Sequence, residues 1–425
     1  MKTIIMAGGK GTRMASIAED IPKPMIPICS RPILEYQIEC LAENGLTDIT
    51  IVIGHLGDII KNHFKDGSDF GCNISYYTET APLGTAGALF KLNLAEDFIL
   101  INGDIIFNVD FSRMIDFHKE KKALATLAVH PNSHPYDSAL IISNGIGQVT
   151  GWMNKEEPRL YYKNMVNAGI HILSPDILKN CTNANEKIDL DRDILKPSIP
   201  SNRIFAYSTP EYIKDMGTPE RYAQVSADIE KNIVNQKCLS NRQKCVFLDR
   251  DGTINRLNGF ISSPDDFELL EGAAAAIKQI NNMGYLSIVV TNQPVIARGE
   301  TDFETLELIH QKMETELGKH GAYIDDLFFC PHHPDKGFPG ERPELKRDCD
   351  CRKPKPGMIF QAAEKYNIDL SKSYMVGDDM RDVNAGLNSG CMSVLITSKK
   401  SDANEIGYKI FASLNSFTDY LSTNH

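Results

Sequence analysis

The sequence predicts an α/β protein of two domains, on three observations. The chain has 425 residues, more than one ordinary hydrophobic core holds. Helix-like and strand-like patterns alternate from the N-terminus to about Leu100, which favours a mostly parallel sheet. Three apolar runs end in carboxylates: Phe98 to Asp104, Cys245 to Asp251, and Ser373 to Asp379. Open α/β sheets place their ligands at such strand ends. The helical patterning that starts at Ala223 turns polar through Ser240 and Asn241. The expected division is a first domain over residues 1–235, a linker over 236–242 and a second domain over 243–425.

Bulk composition narrows the function classes. Hydrophobic residues make up 42% and charged residues 24% of the chain, as in water-soluble globular proteins. The net charge of -11 argues against a nucleic-acid partner, whose affinity comes from Lys and Arg on phosphates. No apolar run is long enough to span a bilayer, and the short run Thr3 to Ala7 is not a signal peptide. A cytoplasmic protein with no membrane partner is expected. The ten cysteines are mostly scattered singly and do not form a disulfide framework. Oligomeric state is not legible.

In the first half, Met1 to Ala7 reads as a strand that runs into Gly8-Gly9-Lys10-Gly11-Thr12-Arg13. Glycines let backbone N–H groups approach a phosphate, and Lys10 and Arg13 add charge. The spacing is not that of a P-loop. Pro22-Lys23-Pro24 holds one lysine in an extended segment; alone it is equally a surface turn. Pro32 to Asn44 reads as an amphipathic helix and Ile49 to Ile53 as a strand. The small residues Leu83-Gly84-Thr85-Ala86-Gly87 offer a flat backbone for a base, or merely a tight helix start. Asp104 closes an apolar strand, and Asp215 stands beside Gly217-Thr218-Pro219.

These five motifs, in this order, resemble the sugar-1-phosphate nucleotidyltransferases over residues 1–230. The resemblance implies a Rossmann-like mixed sheet. It implies that Gly8, Gly9, Gly11, Thr12 and Arg13 hold a triphosphate, and that Lys23 stabilises charge on the reacting phosphates. Gly84, Thr85 and Asn102 would flank the nucleotide, and Asp104 and Asp215 would bind Mg²⁺. Lys155 would meet the sugar phosphate, with Asn167 and Gly169 lining the sugar site. One departure is Asn154, where the family has Glu. The implied reaction is in-line attack of a sugar phosphate oxygen on an α-phosphorus, which needs positioning and charge stabilisation but no side-chain nucleophile. The Leu-Gly-Thr-Ala-Gly loop resembles guanylyltransferases more than thymidylyltransferases.

In the second half, Asp249 and Asp251 lie two apart at a strand end, so both carboxylates are expected to converge on one small volume. Such a pair attracts Mg²⁺. An Asx-rich turn is the bland alternative. Gly272 to Met283 reads as a helix and Tyr285 to Val290 as a strand ending in Thr291-Asn292-Gln293. Prolines fix a lysine in Arg352-Lys353-Pro354-Lys355-Pro356, and Asp378-Asp379 ends another strand with Asp382 nearby. The four segments together resemble the haloacid dehalogenase superfamily of phosphatases. The resemblance implies that Asp249 attacks phosphorus and that Asp251 serves as acid and then base. It also implies that Thr291 and Lys353 hold the phosphoryl oxygens. Mg²⁺ would rest on Asp249, the Asp251 carbonyl and Asp378. No large insertion separates the motifs, so a capless parallel-sheet domain is expected.

Cys330, His332, Cys349 and Cys351 present three sulfurs and an imidazole, the set that structural zinc prefers. His333 competes for the nitrogen position. Cys351 precedes Lys353 by two residues, so zinc would pin the loop that aims this lysine. With this zinc loop, the Asp249, Thr291, Arg298 and Arg352 segments resemble the heptose 1,7-bisphosphate phosphatases over residues 243–400, with histidinol-phosphate phosphatases as runner-up. Asn292, Arg298 and Arg352 would then contact substrate. Pro294-Val295 departs from the usual Ser-Gly. The expected whole is a bifunctional enzyme of nucleotide-sugar synthesis, using a nucleoside triphosphate and a phosphorylated sugar. The alternatives are the same two chemistries on another sugar or polyol, or one silent regulatory domain.

Overall fold

The computed structural model describes residues 1–9, 20–181, 187–398 and 407–424. The chain separates into two compact units. The first comprises residues 1–130, 139–154 and 165–238; the second comprises 131–138, 155–164 and 239–425. Two short stretches of the first half thus group with the second unit, which one cut in the sequence does not describe. Local bonds account for this. The backbone N–H of Tyr162 donates to Thr315 Oγ1 at 2.9 Å, and that of Asn164 donates to Glu314 Oε2 at 2.6 Å.

The first unit is built on a nine-stranded mixed sheet. Its parallel part places Lys2–Met6 between Asp48–Ile53 and Phe98–Asn102, with Asn73–Thr78 outside Asp48–Ile53. Val166–Leu173 then runs antiparallel to Phe98–Asn102. Period-two alternation divides the apolar residues between two layers. Ile5, Ile51, Ile99 and Ile101 face one layer, and Ile4, Val52, Phe98 and Leu100 face the other. Each such fully buried side chain contributes roughly 1.5–3 kcal/mol. The helix Ile33–Glu43 buries Ile33, Leu34, Gln37, Ile38 and Leu41, the one-sided spacing of an amphipathic helix.

The second unit carries six parallel strands in the order Asp326–Cys330, Leu286–Asn292, Cys245–Leu248, Tyr374–Gly377, Met392–Ile396, Tyr408–Phe411. Cys245–Leu248 is fully buried and pairs on both sides, with Leu248 level with Val289 and Val376. This register brings the carboxyl ends of three strands, and hence Asp249, Thr291 and Asp378, to one edge. Val246 and Leu248 pack on one face, Cys245 and Phe247 on the other. The unit is the capless parallel-sheet domain that the sequence predicts. Among the described residues no helix is long and apolar enough to cross a membrane.

Candidate active sites

In the second unit, one oxygen each from Asp249, Asp378 and Asp382 lie within 4.8 Å of one another. Lys353 Nζ joins them, 2.8 Å from Asp249 Oδ1 and 2.6 Å from Asp382 Oδ1. Burial raises the Asp249 carboxyl to about 6 against the pull of Lys353, with Asp382 and Asp251 adding to the rise. Asp378 is likewise raised to about 6, by burial and then by Asp249. Carboxylates crowded in this way favour a divalent cation, because its charge offsets both desolvation and mutual repulsion. Gly252 adopts φ +83, and a Cβ there would lie 2.0 Å from Asp378 Oδ2, so glycine is what lets the loop close over the cluster.

Asp251 acts electrostatically on Asp249, and its own carboxylate is held by neighbouring side chains. The Asp251 carboxylate is taken by fully buried Arg250, whose Nη2 donates to both oxygens at 3.0 Å. Gln293 Nε2 donates to Oδ2 at 2.8 Å and Asn255 Nδ2 to Oδ1 at 3.0 Å. These bonds engage both Asp251 oxygens, while its charge still acts on Asp249, and Asp382 completes the three-carboxylate group. Asp382 reaches it from the first turn of the helix Met380–Ser389, where its Oδ2 accepts the N–H of Asp379. Thr291 is buried, and its Oγ1 accepts from Gln293 Nε2 at 2.9 Å. Asn292 clamps Lys353 on both sides: Nδ2 donates to its carbonyl at 3.1 Å, and Oδ1 accepts its N–H at 3.0 Å. Arg298 lies between Phe260 and Phe338, 4.3 and 4.4 Å from the ring centres. Arg352 Nη1 donates to the His332 carbonyl at 3.1 Å.

Cys330, His332, Cys349 and Cys351 form a second metal-competent group. The sulfurs are 3.2 to 3.5 Å apart, and His332 Nδ1 is 3.4 Å from Cys351 Sγ. All three cysteines are unbridged thiols. Hydrogen bonding from Cys330 lowers the Cys351 thiol to about 5, while Cys330 is driven up in exchange. One member of the set is thus poised as the thiolate that a metal binds. His333 packs edge-on against Phe338 instead.

In the first unit, Gly11, Thr12 and Arg13, with Lys10, lie outside the described residues. Gly8 and Gly9 begin the loop, and a Cβ at Gly8 would lie 2.8 Å from Glu79 Oε2. Lys23 Nζ donates to Asp104 Oδ2 at 2.5 Å. Ile105–Asn108 pairs antiparallel with Tyr212–Asp215, which makes Asp104 and Asp215 neighbours. Asp215, however, accepts from Arg221 Nη1 at 2.7 and 2.8 Å and from the Gly217 N–H at 2.9 Å. Gly84 has φ +85, and a Cβ there would lie 2.3 Å from the Ile188 carbonyl. Thr85 Oγ1 accepts the Leu190 N–H at 2.7 Å. The Asn102 carbonyl accepts from buried Gln37 at 3.0 Å, and Asn102 Nδ2 packs on Gly169, where a Cβ would sit at 2.4 Å. Asn167 Nδ2 lies 3.5 Å from Asp191 Oδ1. Lys155 is half exposed, 3.9 Å from Glu156, and groups with the second unit while Asn167 and Gly169 belong to the first.

Sequence reasoning missed Glu79 and Asp191. Glu79 stands one residue past the strand Asn73–Thr78, and its Oε1 is buried without a hydrogen-bond partner among the described residues. Burial raises its carboxyl, and the Leu83 N–H draws it partly back. Burial, and next Asp189, raise Asp191 to about 6. The available signal was weak: an acid ending an alternating strand, and an acid inside Asp189-Leu190-Asp191-Arg192-Asp193.

Comparison with known proteins fits this geometry. The nucleotidyl transferase family model matches residues 2–232, and a HAD-hydrolase-like model matches residues 350–420. A D-glycero-beta-D-manno-heptose-1,7-bisphosphate 7-phosphatase of Haemophilus ducreyi is 40% identical over 179 residues, covering 42% of this chain and 96% of that protein. A D-glycero-alpha-D-manno-heptose-1,7-bisphosphate 7-phosphatase of Photorhabdus laumondii is 43% identical over 150 residues, 35% of this chain and 80% of that one. The solved structure of HddC from Yersinia pseudotuberculosis complexed with GMP-PN is 26% identical, covers 54% of this chain and 99% of that chain, and superposes with a TM-score of 0.47. The class is that of a two-part enzyme, a nucleotidyltransferase followed by a phosphatase. The chain belongs to the nucleotidyl transferase family through its first half and, through its second, to the HAD-type family of the heptose-bisphosphate 7-phosphatases.

Proposed function

We propose that the second unit removes the 7-phosphate of a heptose 1,7-bisphosphate, and that the first transfers GMP from GTP to the resulting 1-phosphate. The product is a GDP-heptose, with pyrophosphate released. The observation that carries the phosphatase reading is the carboxylate set Asp249, Asp378 and Asp382 with Lys353 at its centre. Asp249 attacks phosphorus and holds the phosphoryl group until water removes it. Lys353 and Thr291 steady the phosphoryl oxygens. Asp251, held by three side chains, swings or relays its proton to the leaving oxygen. Asp249, Asp378 and Asp382 would hold Mg²⁺, whose charge would offset that of the nucleophile and the phosphate. Arg298 and Arg352 take the phosphate that stays. Zinc on Cys330, His332, Cys349 and Cys351 is structural.

In the first unit, Lys23 and Arg13 stabilise charge on the triphosphate, Asp104 and Asp215 serve Mg²⁺, and the glycine loop positions the phosphates. Glu79 supports guanine. A carboxylate only accepts hydrogen bonds when ionised. Guanine offers two adjacent donors on its pairing edge, N1–H and the N2 amino group, whereas uracil and thymine offer one donor beside an acceptor.

³¹P NMR of the protein with Mg²⁺, GTP and D-glycero-D-manno-heptose 1,7-bisphosphate tests the proposal. Orthophosphate, pyrophosphate and a new pyrophosphodiester signal are expected together. Orthophosphate alone would overturn the GTP assignment, and an unchanged spectrum would overturn the heptose assignment in favour of another phosphorylated sugar or polyol.

A further inference from the structure

The sugar side of the first unit contains a cation that none of the motifs accounts for. Lys196 follows the segment Leu190–Leu195 and is partly buried. Its Nζ donates to Asn154 Oδ1 at 2.5 Å and lies 5.2 Å from the centre of the Trp152 ring. Asp191, on the same segment, is bridged to Asn167 at 3.5 Å. Five side chains from three stretches of chain, Trp152, Asn154, Asn167, Asp191 and Lys196, therefore form one polar cluster beside Gly169.

The charges within the cluster give it direction. Lysine has three N–H donors, and the hydrogen bond that Lys196 makes among the described residues goes to a neutral oxygen. A glutamate at position 154 would tie the ammonium into an ion pair and cancel its charge. Asparagine holds it in place and leaves the charge standing, with the ring face of Trp152 adding attraction without neutralisation. Asp191 feels Lys196 only at longer range and stays raised in spite of it. Lys155, by contrast, is half exposed beside Glu156.

We propose that Lys196, aimed by Asn154 and Trp152, binds the phosphate of the acceptor sugar phosphate, with Asn167 and Asp191 turned to its hydroxyls. This rests on the reading of the first unit as a sugar-phosphate nucleotidyltransferase and names the group that recognises its acceptor. The asparagine and the lysine work as a pair: a neutral residue at 154 is what frees the cation at 196.

The test is steady-state kinetics of pyrophosphate release with GTP and D-glycero-D-manno-heptose 1-phosphate. The proteins are the unmodified chain, Lys196→Ala, Lys196→Arg and Asn154→Glu. A charge-assisted hydrogen bond contributes roughly 1.5–3 kcal/mol, so Lys196→Ala is expected to raise KM for the sugar phosphate about ten- to a hundredfold. KM for GTP should stay unchanged. Lys196→Arg should restore most of the loss. Asn154→Glu should mimic Lys196→Ala although the lysine is intact, because it neutralises the charge. Thermal melting checks that each variant is folded. An unchanged KM for the sugar phosphate in Lys196→Ala, or equal rises in both KM values, would overturn the proposal. If the unmodified chain releases no pyrophosphate with this or any hexose 1-phosphate, the transferase reading itself falls and takes the proposal with it.

Discussion

In the second unit three carboxylates and a lysine are packed together, Asp382 and Lys353 buried and Asp249 and Asp378 half-buried, with Asp249 and Asp378 raised to about 6. In the first unit the two acids expected to hold metal each face a cation of their own, Asp104 with Lys23 and Asp215 with Arg221. The difference follows from the chemistry. A site that attacks with its own side chain must hold the attacking atom ready, and so keeps like charges crowded at some cost to stability. A site that joins two bound substrates needs only to receive them. Its charges rest in pairs until phosphates arrive to draw the cations away.

The largest expected effect breaks the comparison cleanly. Asp249→Asn should lower phosphate release from the heptose 1,7-bisphosphate by at least about a thousandfold and leave pyrophosphate release from GTP and supplied heptose 1-phosphate intact, while Asp104→Asn does the reverse. Loss of both activities from either change would mean that the two sites are not separate. Next, Cys351→Ser should remove bound zinc, seen by metal analysis. It should cut phosphatase activity about tenfold or more without altering nucleotidyl transfer, because the thiol set adjoins Lys353. Glu79→Gln sharpens the contrast from the other side. Glutamine presents one acceptor and one donor, so the ratio of GTP to UTP use should fall about tenfold with phosphatase activity untouched. The smallest effect concerns pH. Asp191 stands raised to about 6 from 3.8, so the folded state holds its proton more tightly than the unfolded one. Its stability contribution is full below about pH 4 and is lost as pH rises through about 6, roughly 3 kcal/mol in all. Asp191→Asn should flatten the melting temperature over that window.

What was legible in the sequence was local. Asp249, Thr291 and Asp378 each end an apolar strand, and a parallel register suffices to bring them to one edge. Cys330, His332, Cys349 and Cys351 announce themselves by residue type and spacing. What was not legible depends on partners distant in the chain. Asp251 is held in place by Gln293, forty-two residues later, which donates to its Oδ2. Glu79 Oε2 reaches the backbone of Gly8, where a Cβ would lie only 2.8 Å from it. The stretch 155–164 joins the second unit through Thr315 and Glu314, and no pattern within the stretch foretells that.

The clustered cysteines and Lys353 also lie on a closed ring of constraints. Cys330 stands level with Asn292 across paired strands. Asn292 grips the backbone of Lys353 at two points, and Lys353 follows Cys351 by two residues. Cys351 Sγ returns to within 3.3 Å of Cys330 Sγ. In mechanical terms this is a triangulated frame. No member can hinge alone, and displacing the ammonium group sideways means opening two joints at once. A bridge of this form resists load from any direction, which suits the proposed role of an ammonium that holds still while a phosphoryl group passes to a carboxylate and then to water.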